Sequence, residues 1–572
     1  MQEKPSSLAE SMAQARTLAR RGLTWQHLMD FFAAHTTGLM GALLFLLVAI
    51  FLVWPIIVML GKSVLGPEGF TLEYYKYFFS RSYYYRSFLN TLVLGLMVTP
   101  LSIGIAFCIA YITTRGPTYL RRPLRMMVFL PLMAPPFLFA LTLIVLLGRA
   151  GIFTTAFNLD WTIYGFAGCV LAQTLWMIPL SYMMIESTLS SLNPNLEDSA
   201  ANLGASEGRI LRTITIPLLI PGFVKAFLIV YVTTVSAFGN LILLAGRVPF
   251  LAPDIYINAI GKGDFNMASV LSMALILPCV IIFIVQNYVV RGKAYTTIGG
   301  KPTSAEPRHI GPHILIPILA VSFIATGLIL LCFGVIIAGA FTKNIGIDNT
   351  LMFSYILDKA SNTAVLNSIK MSLLAGLLGG MLGVLLAYVT TRGKFRGRAI
   401  LEGISLSGFT LPGVVLGLGY IFAFNQPPLL LTGTLAILVF NSAFRQLGIG
   451  EEAGIAKLQQ LSIEVEEASL NLGASTITTF RRIVLPIIFP AFLYGFLYVF
   501  ILSMIGLASV IFLISPGYDL GAVYIFQMAE LGKMGLAMAT TLKLVIITGI
   551  CFLILHASAK RTGLNVTRKG GG

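Results

Sequence analysis

A chain of 572 residues that is 57% hydrophobic and only 11% charged lies outside the range of soluble globular proteins, where about a quarter of residues are charged. Its mean hydropathy of +0.87 and recurring apolar runs of spanning length exclude a soluble chain and predict an all-α polytopic membrane protein. The formal net charge of +16 would suit nucleic acid if it formed one patch, but it is spread along the chain as membrane topology requires.

Residues 1–38 are polar, carry Lys4, Arg16, Arg20 and Arg21, and predict a cytoplasmic N-terminal segment. The first apolar run has no small-residue cleavage site near its end, so it reads as a retained helix. A first half at 39–290 contains predicted spans at 39–60, 87–112, 124–148, 164–187, 219–245 and 267–290. A polar linker rich in Gly, Pro and Ser covers 291–313. A second half at 314–558 repeats the count, with spans at 314–341, 365–391, 399–424, 428–445, 484–514 and 537–558. The tenth is short, with Pro427 and Pro428 at its entrance. Residues 559–572 form a C-terminal tail. With the N-terminus inside, inner segments hold Arg115, Arg121, Arg122 and Arg125, then Arg209 and Arg212, and later Arg445, Lys457, Arg481 and Arg482. The outer loops are poorer in basic residues, which puts both termini in the cytoplasm.

The halves are a direct repeat. "AYITTRG" at 110–116 returns as "AYVTTRG" at 387–393, and Asn90 returns as Asn367. An equal number of helices in the same order predicts two parallel units related by an axis along the membrane normal.

A polar stretch also recurs, "NLEDSAANLGASEGRILRTITIPLLIPGF" at 195–223 and "EVEEASLNLGASTITTFRRIVLPIIFPAF" at 464–492. In the first copy Asn193 is suited to cap a helix, with Pro194 at its first position. Leu196, Ala200 and Leu203 share one face, and Gly204 suits the left-handed helix stop. Ser206 can cap a second short helix, and Pro217 marks re-entry to the membrane. In the second copy Ser462, Gly473, Ser475 and Pro486 play these parts, with Val465 and Leu472 on the apolar face. An apolar stripe on a cytoplasmic loop has nothing of its own to bury against, so it predicts a soluble partner.

This pattern resembles the EAA loop of ABC importer permeases. The residues that carry it are Glu197, Asp198, Ser199, Ala200, Gly204, Ile214 and Pro217, then Glu466, Glu467, Ala468, Ser469, Gly473, Ile483 and Pro486. Asp198-Ser199 and Ser469 depart from the usual Glu-Ala and Ala. The resemblance implies that each loop docks into an ATPase subunit, so one fused chain would engage two copies. It implies ATP and Mg on those partners and no cofactor on this chain. It also implies a periplasmic or lipoprotein substrate-binding protein, and residence in the bacterial inner membrane. The fused arrangement resembles the ferric-iron-type permeases, which implies ferric iron as cargo, with an organophosphonate, sugar phosphate or thiamine as alternatives.

No GxxxxGK[ST] sequence occurs, so no P-loop is present. The five cysteines lie apart in apolar stretches, without metal or redox spacing. Asp and Glu are absent from the middle of every predicted span, which counts against an ion-coupled secondary carrier, the main rival. Asn240 and Lys543 are the candidate residues of the substrate path. Gln173, Asn441, Lys225 and Lys370 are further polar residues in or near spans.

Overall fold

The computed structural model describes residues 38–66, 68–292, 311–393 and 397–562. The segment 1–37, the linker between its ends, and the tail from 563 lie outside the described residues, as do the assignments made for them. Among the described residues, ten helices are long and apolar enough to cross a membrane. The shorter apolar helices Gly413–Phe424 and Leu435–Arg445 complete two sets of six.

The first half comprises α1 (Gly38–Val64), α2 (Ser82–Arg115), α3 (Thr118–Phe129), α4 (Leu138–Leu147) and α5 (Phe166–Ser191). It continues with α6 (Pro194–Asn202), α7 (Glu207–Val235) and α8 (Phe265–Gly292). The second half comprises α9 (Pro312–Ala340), α10 (Lys359–Arg392), α11 (Arg398–Ser407), α12 (Gly413–Phe424) and α13 (Leu435–Arg445). After these come α14 (Leu447–Leu458), α15 (Ile463–Asn471), α16 (Phe480–Ile505) and α17 (Met534–Thr562). A two-stranded hairpin follows the opening helix of each half.

Four predicted spans are not single helices to their expected ends. The spans 124–148 and 399–424 each break in the middle, at 130–137 and 408–412. Pro131, Pro135, Pro136 and Pro412 lie in these breaks; proline removes a backbone donor and disfavours helix in the residue before it. The spans 219–245 and 484–514 end early, at Val235 and Ile505. The tenth differs most. After α13 the chain breaks only at Gln446 and runs on through α14, matching the single helix α5. Arg445 therefore sits about midway along a membrane helix pair, not in an inner loop. Its charge, and those of Glu451 and Glu452, made the sequence read as loop too early. Glu451 is fully buried and accepts hydrogen bonds from Ser405 and Thr390, so an acid does lie inside this longer span.

Each half packs α2 against α5 and α7, or α10 against α14 and α16. The opening helices cross over. α1 packs against α12 of the other half, and α9 against α2, α3 and α4. One bond fixes the first crossing. Pro55 has no N–H, which leaves the Phe51 carbonyl one turn earlier without its helical donor. A π-helical stretch, Ala49–Val53, surrounds that carbonyl, and the Tyr420 hydroxyl of α12 donates to it at 2.6 Å.

Small residues let the three-helix contacts form. A Cβ on Gly383 or on Gly495 would lie 2.9 Å from Gly450 backbone atoms. The corresponding first-half residues, Ala106, Ser181 and Ala226, are small and fully buried. Gly495→Ala is expected to force α14 and α16 apart and cost about 1–3 kcal/mol, the usual range for overpacking. Thermal unfolding in detergent checks this; an unchanged midpoint would contradict the packing.

Candidate functional site

The two polar stretches fold as one motif. In the first, α6 starts with Asn193, whose side chain accepts from the Asn195 N–H at 3.0 Å. Gly204 ends it at φ +82°, a conformation that costs an L-residue roughly 1–2 kcal/mol. The Ala205 N–H then closes onto the Ala200 carbonyl at 3.0 Å, the Schellman pattern. In the second, Ser462 accepts from Glu464 N–H and Gly473 turns at φ +85°. The Ala474 N–H closes onto Ser469 at 3.2 Å. Ser475 caps the next turn through the Thr478 N–H; Ser206 stands at the matching position without a side-chain cap bond. Both copies then pass through a five-residue π-turn, Leu211–Thr215 and Phe480–Val484, immediately before Pro217 and Pro486.

Exposure matches position by position. Asp198, Ser199, Gly204 and Pro217 are exposed, as are Glu467, Ala468, Gly473 and Pro486. Ala200 and Ser469 are half-buried. Leu203 and Leu472, each just before its glycine, are both 89% exposed. A leucine left this bare at the same place in both copies offers an apolar group that a partner could cover.

Glu197 and Glu466 behave otherwise. They are buried and point back into the protein, so they cannot present a carboxylate to a partner. Arg115 Nε, at the end of α2, donates to Glu197 at 3.0 Å. Arg392 Nε, at the end of α10, donates to Glu466 at 2.8 Å. Each arginine also donates to the last turn of the intervening helix, Arg115 to the Leu189 carbonyl and Arg392 to that of Leu458. One guanidinium thus ties three segments together. The copies differ around this pair: Thr215 donates to Glu197 at 2.7 Å, whereas Val484 takes its place and Ser469 bonds Thr479 instead.

The two arginines were the missed functional residues. By sequence Arg115 reads only as an inner-loop cation, and Arg392 stands out only as part of the repeated "AYVTTRG". Their signal is the repeated "TTRG", which ends on the same residue in both halves.

The candidate path residues are not brought together. Asn240 is buried after the end of α7, and its amide donates to Gln173 at 3.0 Å while its oxygen has no partner among the described residues. Lys543 on α17 bonds Ser361 at 2.9 Å and Asn362 at 2.7 Å near the start of α10. Lys225 and Lys370 are exposed.

Removing one member of a buried ion pair costs about 3–5 kcal/mol, and replacing both with apolar groups costs much less. Glu197→Leu or Arg115→Met alone should therefore strip residues 194–202 of amide-exchange protection, and the double substitution should restore most of it. Hydrogen exchange by mass spectrometry reads this directly; equal protection in all three variants would contradict the brace.

The model of the family "Binding-protein-dependent transport system inner membrane component" matches residues 99–295 and 379–562, one match in each half. The ferric transport system permease protein FbpB of Actinobacillus pleuropneumoniae is 30% identical over 518 residues, covering 88% of this chain and 75% of that one. The molybdenum transport system permease protein ModB of Mycobacterium tuberculosis is 27% identical over 190 residues, 32% of this chain and 72% of that one. A solved bacterial ABC transporter involved in alginate import aligns with 50% of this chain and 98% of its own, at 17% identity and a TM-score of 0.36. The chain belongs to the binding-protein-dependent permease family, as the membrane-embedded transport subunit of an ABC importer and not an enzyme.

Proposed function

We propose that this chain forms both permease halves of a ferric-iron importer and couples to two copies of an ATPase through α6 and α15. The observation that carries the cargo is the 30% identity to a ferric transport permease across 88% of this chain. ATP and Mg belong to the ATPase partners. A periplasmic or lipoprotein binding protein delivers iron at the outer face, and both termini are cytoplasmic.

Leu203 and Leu472, with the exposed faces around Asp198-Ser199 and Glu467-Ala468, fill grooves on the ATPase pair. Glu197 and Glu466 act behind that surface and transmit its movement. When the ATPases close on ATP, each loop moves as a rigid piece because its arginine locks it to α2 or α10 and its π-turn is continuous with the rest of α7 or α16. The halves rock about their pseudo-axis and alternate access to the path. Nucleotide drives this only through a difference in affinity of the ATPases for the two states.

Two outcomes follow. Leu203→Asp together with Leu472→Asp removes both apolar knobs and adds charge, so the ATPase should no longer co-purify in mild detergent, while each single variant retains partial binding. In proteoliposomes with the ATPase and the iron-loaded binding protein, ⁵⁵Fe uptake should require ATP. Uptake driven by an ion gradient without ATP would favour the secondary-carrier reading.

A further inference from the structure

The middle of the second half holds a group of polar atoms without partners among the described residues. Arg445, at the end of α13, makes no ion pair or hydrogen bond among the described residues, and its Nε is buried. One turn earlier on the same face, Asn441 is completely buried with both amide atoms unpartnered. The next residue, Gln446, is buried with its Oε1 unpartnered. The nearest acid along the chain, Glu451, is already bonded to Ser405 and Thr390.

Three helix breaks converge here. The first is at 408–412 before α12, the second is at Gln446, and the third is at 506–509 after α16. A Cβ on Gly413 would lie 3.2 Å from Arg445 Cζ and 2.9 Å from the Ala508 methyl. The guanidinium is therefore held against the first residue of α12, whose N-terminus has no side-chain cap. Arg445 itself stays partly accessible although its neighbours Asn441, Ser442, Phe444, Gln446 and Gly448 are buried.

The fold does not need these polar groups. At the positions of Arg445, Asn441 and Gln446 the first half has Trp176, Ala172 and Met177. After the corresponding proline break, where the second half has Gly413, the first half has the fully buried Phe137, whose ring packs at Gly239. At these positions the first half carries apolar side chains beside the buried Asn240–Gln173 pair; the second half carries a cation without an ion pair among the described residues.

We infer that Arg445, Asn441 and the N-terminus of α12 form an oxyanion-binding station at mid-membrane depth, and that the cargo crosses in anionic form. A guanidinium recognises carboxylate or phosphate oxygens through paired N–H donors. A helix N-terminus adds amides and the favourable end of its dipole. Discontinuous helices at the bilayer midplane are where such termini become available to a ligand. The inference rests on the importer reading and sharpens its cargo. A bare trivalent cation would be repelled by an unpaired guanidinium in a low-dielectric interior. Ferric iron ligated by enough phosphate or carboxylate groups to carry net negative charge, as with two citrates, presents the oxygens this site can bind.

The test uses the whole complex in proteoliposomes, with ATP, the ATPase and the binding protein, and supplies ⁵⁵Fe(III) together with either ³²P-phosphate or ¹⁴C-citrate. The expected result is co-accumulation of one anion label with iron. Uptake should fall at least tenfold in Arg445→Met and severalfold less in Arg445→Lys. If Arg445→Met fails to assemble with the ATPase, the label ratio in the native complex and the Arg445→Lys rate decide. Arg445-dependent import of labelled phosphate without iron would uphold the site and overturn the iron reading. Iron uptake free of either label, at the native rate in Arg445→Met, would overturn the site and leave the iron reading standing.

Discussion

The buried ion pair between the end of a spanning helix and the first turn of a loop helix is the constraint on which the coupling apparatus depends. A short exposed helix such as α6 has little intrinsic stability; at nine residues it falls below the length at which isolated helices persist in water. Its cap and its glycine stop define where it begins and ends. Neither holds it at a fixed angle to the membrane. Arg115 does so, by joining Glu197 and the Leu189 carbonyl at one point. The same construction at Arg392 gives the second loop the same attitude. Because both charges are shielded from water, loosening either one leaves its partner buried and unpaired, which makes the joint stiff.

This changes the role of the most conspicuous residues in the loop. Glu197 and Glu466 look from the sequence like surface carboxylates placed to favour a helix start. They do stand in the first turn, but their faces turn inward. In the proposed docking, the partner-facing surface is made by Leu203 and Leu472 with the exposed residues beside them. On that reading the acid braces the loop from inside and the leucine serves the proposed docking.

Much of the architecture is legible in the sequence because lipid enforces it. Spanning helices declare themselves by apolar length, and the direct repeat survives in "TTRG", in the loops and in Asn90 and Asn367. The interior of the second half is less legible, for a physical reason. Hydropathy assumes that a charge marks the end of a span, and Arg445 and Glu451 violate that assumption inside α13 and α14. The broken helices at Pro131–Pro136 and Pro412 read as continuous because their flanking residues are apolar. The Arg–Glu braces join residues 82 and 74 positions apart, a pairing that no local pattern reveals, although both ends lie in repeated motifs.

The central claim is that the braces carry ATPase motion into the membrane helices. Spin labels at Arg212 and Arg481, exposed residues of the two π-turns outside the proposed docking faces, would report the separation of the loops by pulsed electron resonance in the assembled transporter. The native complex should show one distance without nucleotide and a shorter one when the ATPases are trapped closed. With both braces replaced by apolar pairs (Arg115→Met with Glu197→Leu, Arg392→Met with Glu466→Leu), which should keep most of the loop order, the loops should still bind the ATPases and follow them, while a second label pair at the outer ends of α2 and α10 should stop responding. An outer pair that moves equally well without the arginines would contradict the account.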